Sequence, residues 1–270
     1  ELLHGVQSLS QQTGTTLFIT LLAAFQALLY RYSGQRDILV GSPIANRQRA
    51  ETENVIGMFI NTAVMRAKID GKITFAQLLE QVQKTVLDAL ANQDLPFDLL
   101  VQAMHPDRDL SYNPLFQTMF VFRSDSVERT LPGVEFEPIK VDRGVSKFDL
   151  TLFAGEEDGQ LMSALEYNAD LFDEMTAQRI LDHWRVLLQG IIADPQEPIA
   201  TLPLLTAAER ERLLNTWNYT SRPLRETRPL HTLIAEQAAR QPQAEAVISA
   251  AERLTYGELE RRANALARRL

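Results

Sequence analysis

The 270-residue sequence contains no cysteine, which removes disulfides, thiolate zinc sites and a cysteine nucleophile in one step. Histidine is scarce too. His4, His105, His183 and His231 are far apart in sequence and no pair has metal-ligand spacing, so no metal site is expected. His105, before Pro106, reads as a loop residue and His183, beside Trp184, as a packed one. Basic charge is in deficit, with 27 Lys and Arg against 35 Asp and Glu and a formal net charge of −8. A phosphate-binding surface needs clustered Lys and Arg that release counterions, so nucleic acid is not an expected partner. The longest strongly apolar run, Leu17 to Tyr30, is broken by Gln26 and falls short of the roughly 20 residues that cross a bilayer. It reads as a core helix, and no membrane partner is expected. HExxH, P-loop and dinucleotide fingerprints are all missing. The chain starts without Met, and both ends fall inside periodic patterns. It therefore reads as a fragment whose missing leader is uninformative, and the lack of Cys fits a cytoplasmic protein.

Hydropathy then supplies the elements. Leu17, Leu21, Phe25, Leu28 and Tyr32 recur at helical spacing and Ser33-Gly34 closes the pattern. Phe75, Leu78, Leu79, Val82, Val86 and Leu90 form the stripe of a second helix, 75–90. Pro96 starts a short helix ending near Met104, with Asp94 as its cap. Ile38–Val40 and Met58–Ile69 read as strands, with Gly41 to Asn46 between them as a loop able to approach a ligand. Phe116–Phe122, Val134–Val141, Phe148–Ala154 and Leu161–Tyr167 are four further strand candidates, the last two joined by a hairpin through Gly155–Gly159. A long helix, 172–192, opens with Asp173 and Glu174 at the positive end of its dipole. Asp194–Pro198 marks the end of this α/β sandwich lobe. Residues 202–228 read as a linker with one short helix, 207–217. Trp217 and Leu213-Leu214 are expected to pin that helix to a neighbouring surface. Pro229 to Leu270 carries six Arg and five Glu, a net +1 that leaves −9 on the rest.

Two dense motifs, QDLPFDLL (Gln93–Leu100) and RDLSYNPLFQ (Arg108–Gln117), follow a third, IGMFINT (Ile56–Thr62), in fixed order. Together they resemble core motifs of the condensation domains of nonribosomal peptide synthetases. The resemblance extends through the segment 16–51, KFDLTLF and LEYNADLF, and covers roughly residues 1–205. Asn92 stands where the family has His, and Tyr112 where it often has Arg. From Pro229 onward, with LTYGEL as its first core motif, the sequence resembles the opening of an adenylation domain. The fold this implies is α/β: the C-terminal lobe of a chloramphenicol acetyltransferase-like sandwich over 1–201, a linker over 202–228, and the helical start of an adenylate-forming domain over 229–270.

Such domains join a carrier-bound aminoacyl or peptidyl thioester to an acceptor amine. That reaction needs alignment, proton removal from the nitrogen and stabilisation of an oxyanion. The family's HHxxxDG motif, which serves the proton, is absent, so no catalytic residue is expected here and the isolated chain should be inactive. Its contribution would be one wall of a tunnel. Asn61 and Thr62 can hydrogen-bond a pantetheine arm without adding charge, Gly57 lets backbone pass closely, and Ser42 of Gly41-Ser42-Pro43, ahead of Ala45-Asn46-Arg47, can donate to a thioester oxygen. The same residues also read as a strand whose Asn caps a turn, and as a simple Pro turn. Arg108 and Asp109 read as a structural pair. The implied cofactors are 4′-phosphopantetheine on partner carrier domains, and ATP with Mg for the adjoining adenylation domain, neither bound by this stretch. The implied partners are upstream and downstream peptidyl carrier domains, the other condensation lobe and the rest of the adenylation domain. Two rival readings are a noncatalytic carrier-docking module and a coenzyme A-dependent acyltransferase, the latter disfavoured by LTYGEL.

Overall fold

A computed structural model describes residues 1–47, 50–104, 113–123, 139, 144–222 and 228–270. The chain divides into two compact units, Glu1–Arg212 and Leu213–Leu270. The expected strand 134–141, apart from Ile139, and the Arg108, Asp109, Tyr112 and His105 readings lie outside the described residues.

In the first unit α1 (Leu2–Gln12) leads to α2 (Leu17–Ser33), which Thr16 caps by accepting from the Ile19 N–H and Gly34 ends in a left-handed conformation, φ 69°. The single stripe read from the sequence understates α2. Leu21, Leu22, Ala23, Ala24, Phe25 and Ala27 are all buried, because α1, α4 (Phe75–Ala91), α6 (Glu174–Ala193) and the sheet surround the helix. Gln26, the break in the apolar run, is buried as well. Its Nε2 donates to the Met65 carbonyl at 3.0 Å, which ties α2 to a strand and gives the amide one of the partners that burial demands. Thr74 and Gln77 form a capping box at α4, and Asp173 caps α6 by accepting from the Thr176 N–H. That bond holds the Asp173 carboxyl below the ordinary range.

The sheet runs β2 (Asn61–Lys68), β1 (Asp37–Ile44), β3 (Thr118–Arg123), β4 (Leu150–Glu157), β5 (Gln160–Tyr167). The outer pairs are antiparallel and the inner pairs, β1 with β3 and β3 with β4, are parallel. Ile38, Val40, Met65, Ala67, Phe120, Leu150, Leu152 and Ala154 form its buried face in one core with the helices. Two boundaries differ from those expected. Gly41 to Ile44 is strand and not loop, because Ser42 and Pro43 pair with Ala63 and Thr62. Pro43 is tolerated there because β1 meets β3 only at Gly41–Met119. The hairpin turn narrows to Asp158-Gly159, both at positive φ (51° and 69°), the geometry that a two-residue turn matching strand twist requires.

The first unit also runs past Asp194–Pro198. Ile199 and Leu202 are buried in the core, and Arg31 donates to their carbonyls at 2.9 and 2.7 Å. Beyond them α7 (Ala207–Glu211) is held by Glu209, whose carboxylate meets the ring of buried His183 at 3.0 Å. The first eleven residues of the expected linker, 202–212, therefore belong to the lobe. They do so because apolar and charged anchors attach them to it.

In the second unit α8 (Leu230–Arg240) and α9 (Tyr256–Ala267) accompany a hairpin of β6 (Glu245–Ile248) and β7 (Arg253–Thr255). LTYGEL spans the end of β7 and the start of α9, where Thr255 and Glu258 form a capping box. Ala238 is the one buried apolar residue of this unit among those described, while Leu230, Ile248 and Leu266 are exposed. Trp217, expected to pin the linker, is 65% exposed. Among the described residues no single helix is long and apolar enough to cross a membrane.

Candidate functional site

The motifs that stand apart in sequence meet at one end of the sheet. Asn61 opens β2 opposite Ile44, and its side chain is saturated. Nδ2 donates to the carbonyls of Gln93 at 2.9 Å and Leu95 at 2.7 Å, and Oδ1 accepts from the N–H groups of Thr62 at 2.9 Å and Phe97 at 3.2 Å. Phe97 is the first residue of α5 (Phe97–Met104), so Asn61 satisfies one of the orphan N–H groups of that helix from another segment. The cap expected of Asp94 is made by Asn61 instead, and Asp94 forms no hydrogen bond among the described residues. IGMFINT and QDLPFD are thus joined through one amide.

An aromatic column joins the others. Phe97 lies 5.7 Å from Phe116, and Phe116 stacks on Phe148 at 5.3 Å. The Phe116 ring occupies the space above Gly41, where a Cβ would come within 2.2 Å of it. Any residue larger than glycine at 41 would displace the ring. NPLFQ, KFDL and the Gly41-Ser42-Pro43 segment are therefore one packed unit. Asn113 shapes the approach to β3, accepting from the Leu115 N–H through its side chain.

The four expected lining residues take different positions around this column. Ser42 is buried, and its hydroxyl donates to the Phe120 carbonyl across the sheet at 3.0 Å. Asn61 is committed as described. Thr62 is half-buried, and its hydroxyl has no partner among the described residues. Gly57 is exposed and has room for a side chain, since a Cβ there would meet only the Phe59 ring at 3.5 Å. Around Gly57, Ile56 and Met58 project into solvent at 102% and 90% exposure. The segment thus presents apolar side chains and one uncharged hydroxyl. Sequence reasoning missed that Asn61 and Phe116 are joints between motifs. The available signal was an Asn with two potential donors and two acceptors in an otherwise apolar strand start.

No group of three or more His, Asp or Glu side chains among the described residues is placed to hold a metal. The strongest polar cluster lies elsewhere. His183 bridges the Tyr32 hydroxyl (2.7 Å) and Glu209 (3.0 Å). Burial pushes the Tyr32 phenol up, opposed by Arg179. Burial also raises the Glu209 carboxyl, but bonds from Thr206 and His183 outweigh it and leave it below its ordinary value. A mostly apolar cavity of about 460 Å³ opens beside this cluster, lined by Leu28, Leu29, Tyr32, Ile38, Phe172 and Ile180 among others. It involves the starts of β1, β3 and β4, and none of Ser42, Gly57, Asn61 or Thr62 lines it.

A family model described as "Condensation domain" matches residues 1–214. Tyrocidine synthase 3 of Brevibacillus parabrevis is 40% identical over 263 residues, 97% of this chain and 4% of that protein. Malpinin synthetase of Mortierella alpina is 40% identical over 271 residues, 100% of this chain and 4% of that protein. The chain thus spans a small part of the curated relatives it matches. Among solved structures, a four-domain nonribosomal peptide synthetase bound to AMP and glycine superposes with a TM-score of 0.75 at 25% identity, over 96% of this chain and 21% of that one. The first condensation domain of the CDA synthetase shares the fold, with a TM-score of 0.61 at 18% identity over 75% of this chain and 45% of that chain.

Proposed function

Because the chain belongs to the condensation-domain family, we propose that it forms part of an amide-forming site in a nonribosomal peptide synthetase. There a carrier-bound aminoacyl or peptidyl thioester is transferred to the amine of a second carrier-bound substrate. The nitrogen attacks the thioester carbonyl, the C–S bond breaks, and the leaving thiol belongs to a 4′-phosphopantetheine arm. The partners on this reading are the peptidyl carrier domains and the segment that bears HHxxxDG. Proton handling belongs to that segment, since the motif is absent here.

This chain's contribution is a wall. The observation that carries the reading is the convergence of IGMFINT, QDLPFD, NPLFQ and KFDL through Asn61 and Phe116. Their joining leaves the Thr62 hydroxyl and the exposed Ile56, Met58 and Ile60 side chains to face a ligand. Thr62 is the residue proposed to touch the arm or a substrate amide. Asn61 and Ser42 act behind it by holding α5 and β3, and Gly57 lies in the exposed segment. Pro229–Leu270, within the second unit, is proposed as the opening of an adenylation domain. The LTYGEL motif supports that, as do relatives whose similarity extends over 97% and 100% of the chain. ATP and Mg would be bound by later residues of such a domain.

The test is an assay of the 270-residue chain with loaded donor and acceptor carrier proteins. No amide above a buffer blank is expected, because without the proton-handling motif the attacking nitrogen is unassisted. Turnover by the chain alone would overturn the assignment of catalysis to another segment.

A further inference from the structure

Arg47 closes the Ala45-Asn46-Arg47 segment, and its guanidinium gathers Thr52, Glu53, Val55, Gly57 and Phe59 of the connection between β1 and β2. Asn46 takes a left-handed φ of 49° and turns the chain out of β1. Arg47 then reaches forward. Nη1 donates to the carbonyls of Thr52 and of Val55 (3.0 Å), with Glu53 at 3.5 Å, and Nη2 donates to Gly57 at 3.0 Å. The guanidinium carbon sits 4.2 Å from the centre of the Phe59 ring.

These contacts suit arginine and no other residue. A planar fork with five N–H donors can span several carbonyls and stack on a ring, whereas an ammonium is a point charge. The acceptors also favour a cation. α3 (Ala50–Glu53) is a single turn, and its last carbonyls form the negative end of the helix. Val55 and Gly57 lie outside every strand. With Phe59 drawn under Arg47 and half-buried, the alternating Ile56 and Met58 are left outward, against the usual tendency of large apolar side chains.

We propose that Arg47 is a positioning residue, whose guanidinium sets the conformation of residues 50–60 and thereby fixes where Ile56, Met58 and the Asn61-Thr62 pair are presented. Its effect on rate rests on the wall reading given above; its effect on the segment's conformation does not.

The test compares Arg47→Met, Arg47→Lys and Arg47→Ala in the full chain by amide hydrogen exchange, with Arg185→Met, an exposed position of α6, as control. Amides of 53–60 should exchange at least about tenfold faster in Arg47→Met, while α2 and β1–β5 keep their protection. Lysine should restore only part of the protection, and added ethylguanidinium should restore it in Arg47→Ala. Unchanged exchange over 53–60 overturns the proposal, and Arg47→Lys carries the same comparison should Arg47→Met not fold. In a synthetase that carries this chain, Arg47→Met should lower kcat for amide formation about tenfold, with KM for the carriers within about twofold. A loosened segment with unchanged kcat overturns the positioning role, whereas failure of the wall reading itself is read separately at Thr62.

Discussion

Asn61 and Thr62 are adjacent, uncharged and polar, yet the fold separates their roles. All four hydrogen bonds of the Asn61 amide are internal, so Asn61→Ala should cost about 2 kcal/mol of stability, read as a lowered urea midpoint. It should also loosen α5. Thr62→Val removes only a hydroxyl with no internal partner among the described residues. Stability should stay within about 0.5 kcal/mol, while amide formation in a synthetase carrying the chain slows about fivefold, the loss of one ligand hydrogen bond. Unchanged rates with several donor and acceptor substrates would remove Thr62 from the wall. The sequence marked both residues but offered no means of dividing them. Which side chain is satisfied depends on the backbone of Gln93, Leu95 and Phe97, more than thirty residues away.

At the scale of elements, the short helix α7 shows how little of a connection's fate is legible from composition. Its Pro-flanked, charged sequence reads as a tether, but Glu209 reaches His183, which is buried against Tyr32. Because Thr206 and His183 hold the Glu209 carboxyl below its ordinary value of 4.5, the unfolded segment binds a proton more readily than the docked one. The docking contribution is then present above that ordinary value and is lost as pH falls through the lower, folded one. Protection of amides over 206–211, taken relative to their intrinsic exchange rate at each pH, should fall on acidification below about pH 4.5, and Glu209→Gln should abolish that dependence. A Glu209→Gln profile identical to the parent's would show that another group controls α7.

For the molecule as a whole, the division at Arg212/Leu213 predicts the outcome of limited proteolysis. Trypsin should cut after Arg225, which lies outside the described residues, because the bonds after Arg222 and Arg228 lead into Pro223 and Pro229, which trypsin does not hydrolyse. The resistant product should end near Arg212 and not near Leu205, because Leu202 is buried and Glu209 anchors α7. Residues 213–270 should exchange faster than β1–β5, since so few of their apolar side chains are buried. Equal protection in both units would place the boundary elsewhere.

The sequence by itself determined the longer helices and most strands, because 3.6- and 2-residue hydropathy periods and acidic helix starts such as Asp173 act within a turn or two of chain. Its ordered motifs also determined the family resemblance, which the match over residues 1–214 bears out. Tertiary structure alone decided what those motifs do for one another. Asn61 capping α5, Phe116 filling the space that Gly41 leaves empty, Gln26 bonding Met65 and Glu209 drawing the supposed linker into the lobe are all contacts between distant segments. Their energy depends on angles and distances that folding brings about, and no local pattern encodes them.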